Sequence, residues 1–474
     1  MNNTAHSSSV ISVFDIMKVG IGPSSSHTMG PWKAAQMFVK NLEVDRVQSV
    51  MVELYGSLSK TGRGHGTLTA VQLGLSGFDY RTIATNKIST YISNIEIGGS
   101  IKLNNEKWIP FSESEHIALT DQHHPTHPNA LTFRAFYNDD EIHSQTYFSV
   151  GGGFVVAEGS GSESSPMSNI PYPITTAGDI YGYLDANEMR MVDLVRANEL
   201  ALCKEESVSD AINALWRQMI ETAYHGAHTF GELPGGLQVV RRAPQLNRQL
   251  LADHSYTDVD SWLEAIRIGY FSFDQMIQWV SCFALATNEE NAALGRIVTA
   301  PTNGAAGVIP AVLLFHHCFY QASEEDIETF LLIAGEIGSL FKKGATISAA
   351  MGGCQAEIGV SSAMAAAGLT AVKGGSCRQI LMAAEIAMEH HLGLTCDPLK
   401  GLVQVPCIER NSMGAIKAIT ACQMALSTDP KHAKVDLDEV VQAMWETAQD
   451  MNLKYKETAE GGLAKTVKKM IAEC

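Results

Sequence analysis

Three of the nine cysteines in this 474-residue chain lie in segments that favour turns rather than helices. Cys354, Cys396 and Cys407 each lie close to glycine, proline or aspartate, whereas four others lie within helical patterns: Cys203, Cys282, Cys318 and Cys422. Turns can aim thiolates at one centre, but the spacing alone is not diagnostic, because free cysteines are among the most buried residue types. Three such thiolates could hold a cubane iron-sulfur cluster with one open iron, or a zinc ion with an open position.

A serine-rich segment with one histidine, GIGPSSSHTMGP at 20–31, precedes a predicted helix whose first turn accepts proline. Backbone N–H groups at a helix start, together with the hydroxyls of Ser24, Ser25 and Ser26, are suited to binding a carboxylate. Capping of the helix by Ser26 or Thr28 is the commoner use of such residues, so this segment alone does not establish a site.

A similar arrangement recurs at GSLSKTGRGHGT, 56–67, where His65 lies among glycines ahead of a helix that we expect Thr67 to cap. His27 and His65 could therefore provide polar or acid–base contacts at one site, although a lone histidine is more often structural.

Three further segments carry weaker patterns. His127 and Asn129 could join the same site, but they lie in a loop that contains other histidines. In TAPTNGAAGVIP, Thr302 and Asn303 precede an apolar helix and are suited to holding a carboxylate or an amino group, or simply to capping a buried turn. The stretch SVGGGF, 149–154, resembles a phosphate-binding glycine loop, but no helix pattern follows it, so we interpret it as turn geometry.

Composition limits the partners and the location. The chain has 34 Lys and Arg against 51 Asp and Glu, a formal net charge of −17, which argues against nucleic acid and anionic membranes as partners. Its polar start, MNNTAHSSSV, lacks the pattern of a signal peptide, so we expect a cytoplasmic protein whose cysteines are thiols or metal ligands. The apolar stretch at 360–372 is shorter than the roughly 20 residues that span a bilayer and predicts a buried helix.

The predicted secondary structure that must position these residues changes near residue 155, from a mixture of strands and helices to helices. Alternation at 50–54 and 133–137 predicts strands, the second of which forms a hairpin with 142–150, and helical patterns intervene at 31–40 and 67–76. A segment rich in Ser, Gly and Glu predicts a linker, which we place at 157–171. The predicted fold is thus two-domain, with an α+β N-terminal domain, 1–156, and an all-α C-terminal domain, 172–474.

Two helices of the second domain are well marked. An apolar stripe at 212–223 follows helical spacing, and Ser323 with Asp326 forms a weak capping pattern ahead of another helix. The region from about 295 to 412 combines small residues, glycine-rich turns and the three cysteines, so we expect the chemistry there.

Five segments in this order resemble those of the bacterial-type iron-sulfur L-serine dehydratases, over almost the whole chain. They are FDIMKVGIGPSSSHTMGP, YGSLSKTGRGHGT, PTNGAAGVIPAVL, MGGCQAEIGV and CDPLKGLVQVPCIERN. The resemblance implies a [4Fe-4S] cluster held by Cys354, Cys396 and Cys407, in a single chain that fuses two domains which some relatives keep as separate subunits. It also implies a homodimer and a substrate site lined from the first domain: Ser24, Ser25, Ser26, His27, His65, and less directly His127 and Asn129.

The implied reaction converts L-serine to pyruvate and ammonia, which would feed serine carbon into gluconeogenesis. An open iron is a Lewis acid that could bind the hydroxyl and carboxylate of serine while a base removes the α-proton. Hydrogen bonds from helix-start amides would stabilise the developing charge. Either His65 or His27 could be the base, and the sequence does not rank them.

The last residue, Cys474, joins a thiol to a free α-carboxylate, much as serine joins a hydroxyl to its own. If the tail folds inward, its thiolate could occupy the open iron as a fourth, regulatory ligand. A frayed terminus is the ordinary expectation for such a residue.

Two other functions are compatible with parts of the sequence. A pyridoxal-phosphate deaminase would use SVGGGF as a phosphate cup, but no lysine has a convincing context and the cysteines stay unexplained. An amino-acid-binding regulatory protein with a structural zinc is the alternative outside enzymology, and a visible iron-sulfur spectrum would exclude it.

Overall fold

The computed structural model describes residues 10–138, 140–160, 170–187, 189–202, 207–252 and 254–467. An N-terminal part that mixes strands and helices is followed by a C-terminal part that is mostly helical, which confirms the predicted two-domain class. Most of the predicted linker lies outside the described residues, so its limits stay a prediction.

The first domain is built on a five-stranded sheet with the order β5-β2-β6-β7-β8, in which only the β2–β5 pair is parallel. The predicted strands and hairpin are confirmed, with Val52 paired to Phe133. Every second residue of β2 is buried, as a sheet with one covered face requires. The strands are β1 Lys18–Ile21, β2 Ser49–Leu54, β3 Ser100–Leu103, β4 Lys107–Pro110, β5 Ile117–Leu119, β6 Ala130–Tyr137, β7 Asp140–Ser149 and β8 Val155–Ala157.

Helices cover this sheet and carry the first domain's polar segments. Phe38 stacks on Phe133 with ring centroids 5.1 Å apart. Both rings belong to a core between the sheet and the helices at 30–40 and 67–75, which pack on each other. The helices are α1 Val13–Ile16, α2 Gly30–Lys40, α3 Gly56–Thr61, α4 Thr67–Leu75, α5 Ile88–Gly98 and α6 Glu113–His116.

Two helix starts differ from the expected capping. Neither Ser26 nor Thr28 caps α2, because a π-helical turn, Ser25–Met29, leads into it without a break. Thr67 does not cap α4 either: Gly66 occupies the cap position with a φ of 67°, and the Thr67 hydroxyl donates instead to the carbonyl of His27 at 2.6 Å. The hydroxyls at both helix starts therefore join the two segments to each other.

The second domain surrounds helix α16, Ile358–Val372, which is buried along nearly its whole length, as predicted for 360–372. The predicted helices at 212–223 and after Ser323 are confirmed as α9 and α14, the latter with a complete capping box. The helices are α7 Ala177–Asn187, α8 Met191–Leu202, α9 Val208–His228, α10 Ala243–Leu250, α11 Val259–Ile268, α12 Phe273–Ala292, α13 Val308–Tyr320, α14 Glu324–Gly344, α15 Ala349–Gly352, α16 Ile358–Val372, α17 Cys377–Glu389, α18 Cys407–Leu426, α19 Leu437–Asp450 and α20 Gly462–Thr466.

One strand of the second domain was not expected from the sequence. β9, Arg296–Thr299, pairs antiparallel with β1, so that Lys18 lies opposite Thr299. Beside this ribbon α1 packs on α14, where a Cβ on Gly335 would lie 2.5 Å from the Cβ of Val13. The two domains thus meet along a closely packed seam.

Across the described ranges, the structure contains no helix that combines the length and the apolar character needed to cross a membrane.

Candidate functional site

The seam fixes the serine-histidine segment that follows β1. The side-chain amide of Asn303 donates to the carbonyl of Ile21 at 2.6 Å and accepts from the Thr299 hydroxyl at 2.6 Å. Asn291 donates to the carbonyl of Pro23 at 2.8 Å. Residues of the second domain therefore hold the backbone of this first-domain segment in place.

His27 and His65, the two predicted catalytic histidines, lie together at the seam. Their ring centroids are 4.6 Å apart, and both residues are almost fully buried. Nδ1 of His27 lies 2.9 Å from the Ser26 hydroxyl and its Nε2 lies 3.0 Å from the Ser57 hydroxyl. Nδ1 of His65 lies 3.0 Å from the carbonyl oxygen of Thr61.

Burial keeps both imidazoles neutral. It lowers the pKa of His27 well below its usual value and the pKa of His65 to about 4, because the charged form loses its hydration. A carbonyl oxygen only accepts hydrogen bonds, so we assign the proton of neutral His65 to Nδ1, next to Thr61. Nε2 of His65 then carries a lone pair, as a general base requires.

The three consecutive serines are buried around these rings. The hydroxyl of Ser24 accepts from the backbone N–H of His27 at 3.1 Å and lies 3.3 Å from the Ser26 hydroxyl. Ser25 begins the π-helical turn, and Ser149 donates to the carbonyl of Ser26 at 2.7 Å. π-Helical turns are rare and occur frequently at functional sites.

Asn129 is connected to this group through Ser149, and His127 in turn contacts Asn129. The carbonyl of Asn129 accepts from the N–H of Ser149, and its fully buried side-chain amide has no hydrogen-bond partner among the described residues. His127 is half-buried, accepts from the N–H of Asn129 at 3.0 Å, and has its pKa lowered to about 4 by burial. The unpaired amide of Asn129 is thus free to bind a ligand.

Two buried hydroxyls lie on the second-domain side, that of Thr302, which was predicted for the substrate site, and that of Ser348, which was not. The Ser348 hydroxyl has no hydrogen-bond partner among the described residues, whereas the Thr302 hydroxyl favours the charged form of the neighbouring Glu357 carboxyl by hydrogen bonding. Asn303, by contrast, uses both of its side-chain polar atoms within the seam. Unpaired buried polar groups are costly, and a polar ligand is one way in which they become satisfied.

The three predicted cysteine ligands are buried free thiols in one region of the second domain. Cys354 lies in a 3-10 turn, Gly353–Ala356, between α15 and α16; Cys396 lies in a loop, and Cys407 is the first residue of α18. Ligand atoms of Cys354, Cys396 and Glu357 all lie within 4.8 Å of one another. Cys407 lies outside that set, although the Cys354 charge acts on it.

A guanidinium compensates negative charge at these thiols. Arg410 donates to Sγ of Cys354 at 3.3 Å and to a carboxylate oxygen of Asp397 at 3.0 Å. A hydrogen bond with Cys396 lowers the pKa of Cys354, and Arg410 lowers it further. Burial raises the pKa of Cys407, whereas the contact with Arg410 favours the thiolate form of Cys354.

Glu457, which no sequence pattern singled out, links the histidines to the thiols. Its Oε1 lies 3.5 Å from Nδ1 of His27 and 3.5 Å from Nε2 of His65. Its N–H donates to the carbonyl of Cys396, and its own carbonyl accepts from the Ser57 hydroxyl at 3.1 Å. Its backbone is left-handed, with a φ of 58°, which is uncommon for a residue with a side chain and often marks a functional site.

Burial raises the pKa of Glu457 well above its usual value and the pKa of Glu357 to about 7. The region between the histidines and the thiols therefore contains one acid, Glu357, that can hold a proton near neutral pH. Cys474, the predicted regulatory ligand, lies outside the described residues.

Two family models match the chain and together cover most of it. Residues 12–160 match the serine dehydratase beta chain, and residues 179–464 match the serine dehydratase alpha chain. The chain belongs to the serine dehydratase family. The beta-chain match contains His27 and His65, and the alpha-chain match contains the three thiols and Glu457, so residues from both family regions meet at the seam.

Curated relatives of this family are similar over nearly their whole length. The L-serine dehydratase of Haemophilus influenzae is 45% identical over 96% of this chain and 99% of its own. L-serine dehydratase 1 of Escherichia coli is 42% identical over 96% and 99%, and the L-serine dehydratase of Streptomyces coelicolor is 44% identical over 96% and 98%.

Proposed function

We propose that this chain is an L-serine dehydratase that converts L-serine to pyruvate and ammonia and depends on a [4Fe-4S] cluster held by Cys354, Cys396 and Cys407. The observation that carries the proposal is the contact of Glu457 with both histidines on one side and with the Cys396 segment on the other. Glu457 thus links the buried histidines to the chain segment that carries Cys396.

The donor set suits an iron-sulfur cluster. Thiolates are its usual protein ligands, and the positive charge of Arg410 beside Cys354 offsets part of the negative charge that three thiolates bring. A cubane is wider than a single ion, so its ligands need not crowd as closely as the Cys354–Glu357–Cys396 set does. We therefore keep Cys407 as the third ligand and give Glu357 the role of a neighbouring acid.

When bound, a cluster with an open iron supplies a Lewis acid that makes the serine hydroxyl a better leaving group. We assign removal of the α-proton to Nε2 of His65, because Thr61 binds the other nitrogen, whereas both nitrogens of His27 face serine hydroxyls. The proton then rests on a buried imidazolium, which Oε1 of Glu457 stabilises from 3.5 Å. Loss of water leaves an enamine whose imine form hydrolyses to pyruvate and ammonia.

Substrate binding is assigned to the buried polar groups around the rings. The hydroxyls of Ser24, Ser25 and Ser26 and the buried side chains of Thr302 and Asn129 would hold the carboxylate and the amino group. We give Asn303 and His127 positioning roles, since Asn303 secures the seam and His127 accepts from the backbone of Asn129.

Two alternatives are less well supported. The glycine loop of SVGGGF is followed by the strand β8 and not by a helix, so it lacks the helix start that a pyridoxal-phosphate cup usually provides. A structural zinc could use the Cys354–Glu357–Cys396 set, but a zinc-holding sensor leaves the two neutral histidines without a role. A cytoplasmic homodimer that supplies pyruvate for gluconeogenesis remains part of the proposal, as does a regulatory Cys474.

The deciding experiment is anaerobic purification followed by iron and sulfide analysis, with a visible spectrum recorded before and after L-serine is added while pyruvate is assayed. We expect about four irons per chain, a spectrum that responds to serine, and activity that is lost in air. Colourless protein that still forms pyruvate would overturn the cluster, and bound zinc without turnover would favour the sensor.

A further inference from the structure

Two lysines from different domains flank one aromatic ring at the seam. Nζ of Lys18, on β1, lies 4.1 Å from the ring centroid of Phe154, and Nζ of Lys342, on α14, lies 3.8 Å from the same centroid. Phe154 ends the glycine loop that joins β7 to β8. Cation–π contacts of this kind fix the direction of an ammonium group but leave its charge unneutralised.

These two ammonium groups have no anionic partner in the part of the chain that the structure describes. Lys18 and Lys342 form no ion pair within 4 Å there: Asp15 acts on both only at longer range, and Lys33 adds positive charge beside Lys18. Partial burial lowers the pKa of Lys18 to about 7 and that of Lys342 to about 8. A bound anion would therefore stabilise the charged forms of both lysines.

The adjacent glycine loop has free backbone donors close to Lys18. Gly151, Gly152 and Gly153 have φ values of 88°, 58° and 73°, which only glycine adopts readily in succession. The N–H groups of Gly152 and Gly153 donate no hydrogen bond to any described residue, and a Cβ on Gly153 would lie 3.7 Å from Cε of Lys18. Successive free N–H groups in such a turn form a concave anion site.

We propose that Lys18, Lys342 and the glycine loop bind a phosphate group at the seam, either free phosphate or the phosphate of a small phosphorylated metabolite. A phosphate dianion balances two ammonium groups, whereas a single carboxylate would leave one of them unpaired. The site adjoins the proposed substrate site, because a Cβ on Gly151 would lie 3.0 Å from the Cβ of Ser348 and one on Gly152 would lie 3.3 Å from the carbonyl oxygen of Pro301. Because its two cations come from different domains, a bound phosphate would tie the domains together.

Equilibrium dialysis of the anaerobically purified protein against radiolabelled inorganic phosphate, at constant ionic strength, tests the site without measuring turnover. We expect saturable binding of about one phosphate per chain, and binding at least about tenfold weaker in Lys18→Gln and in Lys342→Gln, since each loses one charge-assisted contact. Lys342→Arg keeps the charge and should retain binding. Lys87 is an exposed lysine of the first domain. The variant Lys87→Gln loses the same charge and should bind phosphate as tightly as the unaltered chain.

The outcomes separate the site from general electrostatics and from misfolding. Absence of saturable binding, or an equal loss in Lys87→Gln, would overturn the proposal. Melting curves recorded without phosphate show whether each variant is folded, and retained binding in Lys342→Arg excludes a mere packing defect. In a competition arm, displacement by glycerol 3-phosphate at lower concentrations than by phosphate would identify a phosphorylated metabolite as the natural ligand.

Discussion

Glu457 Oε1 lies 3.5 Å from Nε2 of His65, although the two residues belong to different domains. The same oxygen lies 3.5 Å from Nδ1 of His27. One carboxyl group from the end of the chain thus orients both histidines from its start, and this relationship leads to the first prediction.

Replacing Glu457 by alanine should lower kcat by roughly 10- to 100-fold, because a misoriented or unstabilised base loses part of the typical effect of general base catalysis. We expect Glu457→Gln to recover part of the loss in orientation but not the stabilisation of the imidazolium. Steady-state pyruvate assays give kcat and KM, and the visible spectrum reports separately whether the cluster is intact.

Glu460 provides a matched control. It lies three residues farther on, is exposed, and pairs with Lys60 at 3.0 Å on the surface. Glu460→Ala should keep normal turnover. Equal kcat values in Glu457→Ala and Glu460→Ala would contradict the positioning role.

The pH dependence of kcat/KM should lack the inflection of an ordinary histidine. Burial disfavours the charged imidazolium and lowers the pKa of His65 to about 4, so the neutral, basic form prevails at every pH above that value. We expect kcat/KM to stay level as the pH falls from 8 to about 5.5 and to drop only as it nears 4. The cluster spectrum, recorded at each pH, excludes acid damage. Because burial raises the pKa of Glu357 to about 7, the profile is also measured in Glu357→Gln, and an inflection close to pH 6.5 that persists there would show that the base is not a buried neutral histidine.

The sequence predicted the parts of the site that carry local signals and missed those that depend on the fold. Glycines beside His65 and serines before His27 formed recognisable segments, and turn residues marked Cys354, Cys396 and Cys407. Glu457 has no local signal, because its role comes from a left-handed backbone that passes Cys396.

The same distinction applies to the fold. Period-two and helical patterns predicted β2, β6, β7, α9 and α14, because their apolar residues recur at strand or helix spacing. Strand β9 was missed because its partner, β1, belongs to the other domain. The contacts of Lys18 and Lys342 with the Phe154 ring were missed for the same reason, because these residues come together only at the seam.

Serine variants of the three thiols test the ligand set directly. We expect Cys354→Ser, Cys396→Ser and Cys407→Ser each to lose most of the iron and sulfide, because an alkoxide is a poor replacement for a soft thiolate. Glu357→Gln should keep the iron if Glu357 is a neighbouring acid and not a ligand. Iron analysis per chain, compared with protein concentration, measures this without reference to activity.

Cys422 is the control for those variants, since it is a fully buried free thiol on α18, the helix that begins with Cys407. Cys422→Ser should keep its iron. Iron loss in Glu357→Gln together with full iron in Cys407→Ser would instead favour the Cys354–Glu357–Cys396 set.

Asn129 and Asn303 should respond in opposite ways to the same substitution. The buried amide of Asn129 has no hydrogen-bond partner in the described part of the chain, so Asn129→Leu removes an unsatisfied polar group and should stabilise the fold by about 1 kcal/mol while raising KM for serine. Asn303→Leu leaves the carbonyl of Ile21 and the hydroxyl of Thr299 unpaired and should cost about 1 to 3 kcal/mol. Anaerobic melting curves and serine titrations measure both effects. If Asn129→Leu lowered the melting temperature and left KM unchanged, Asn129 would be a structural residue, and the carboxylate of serine would have to bind elsewhere in the site.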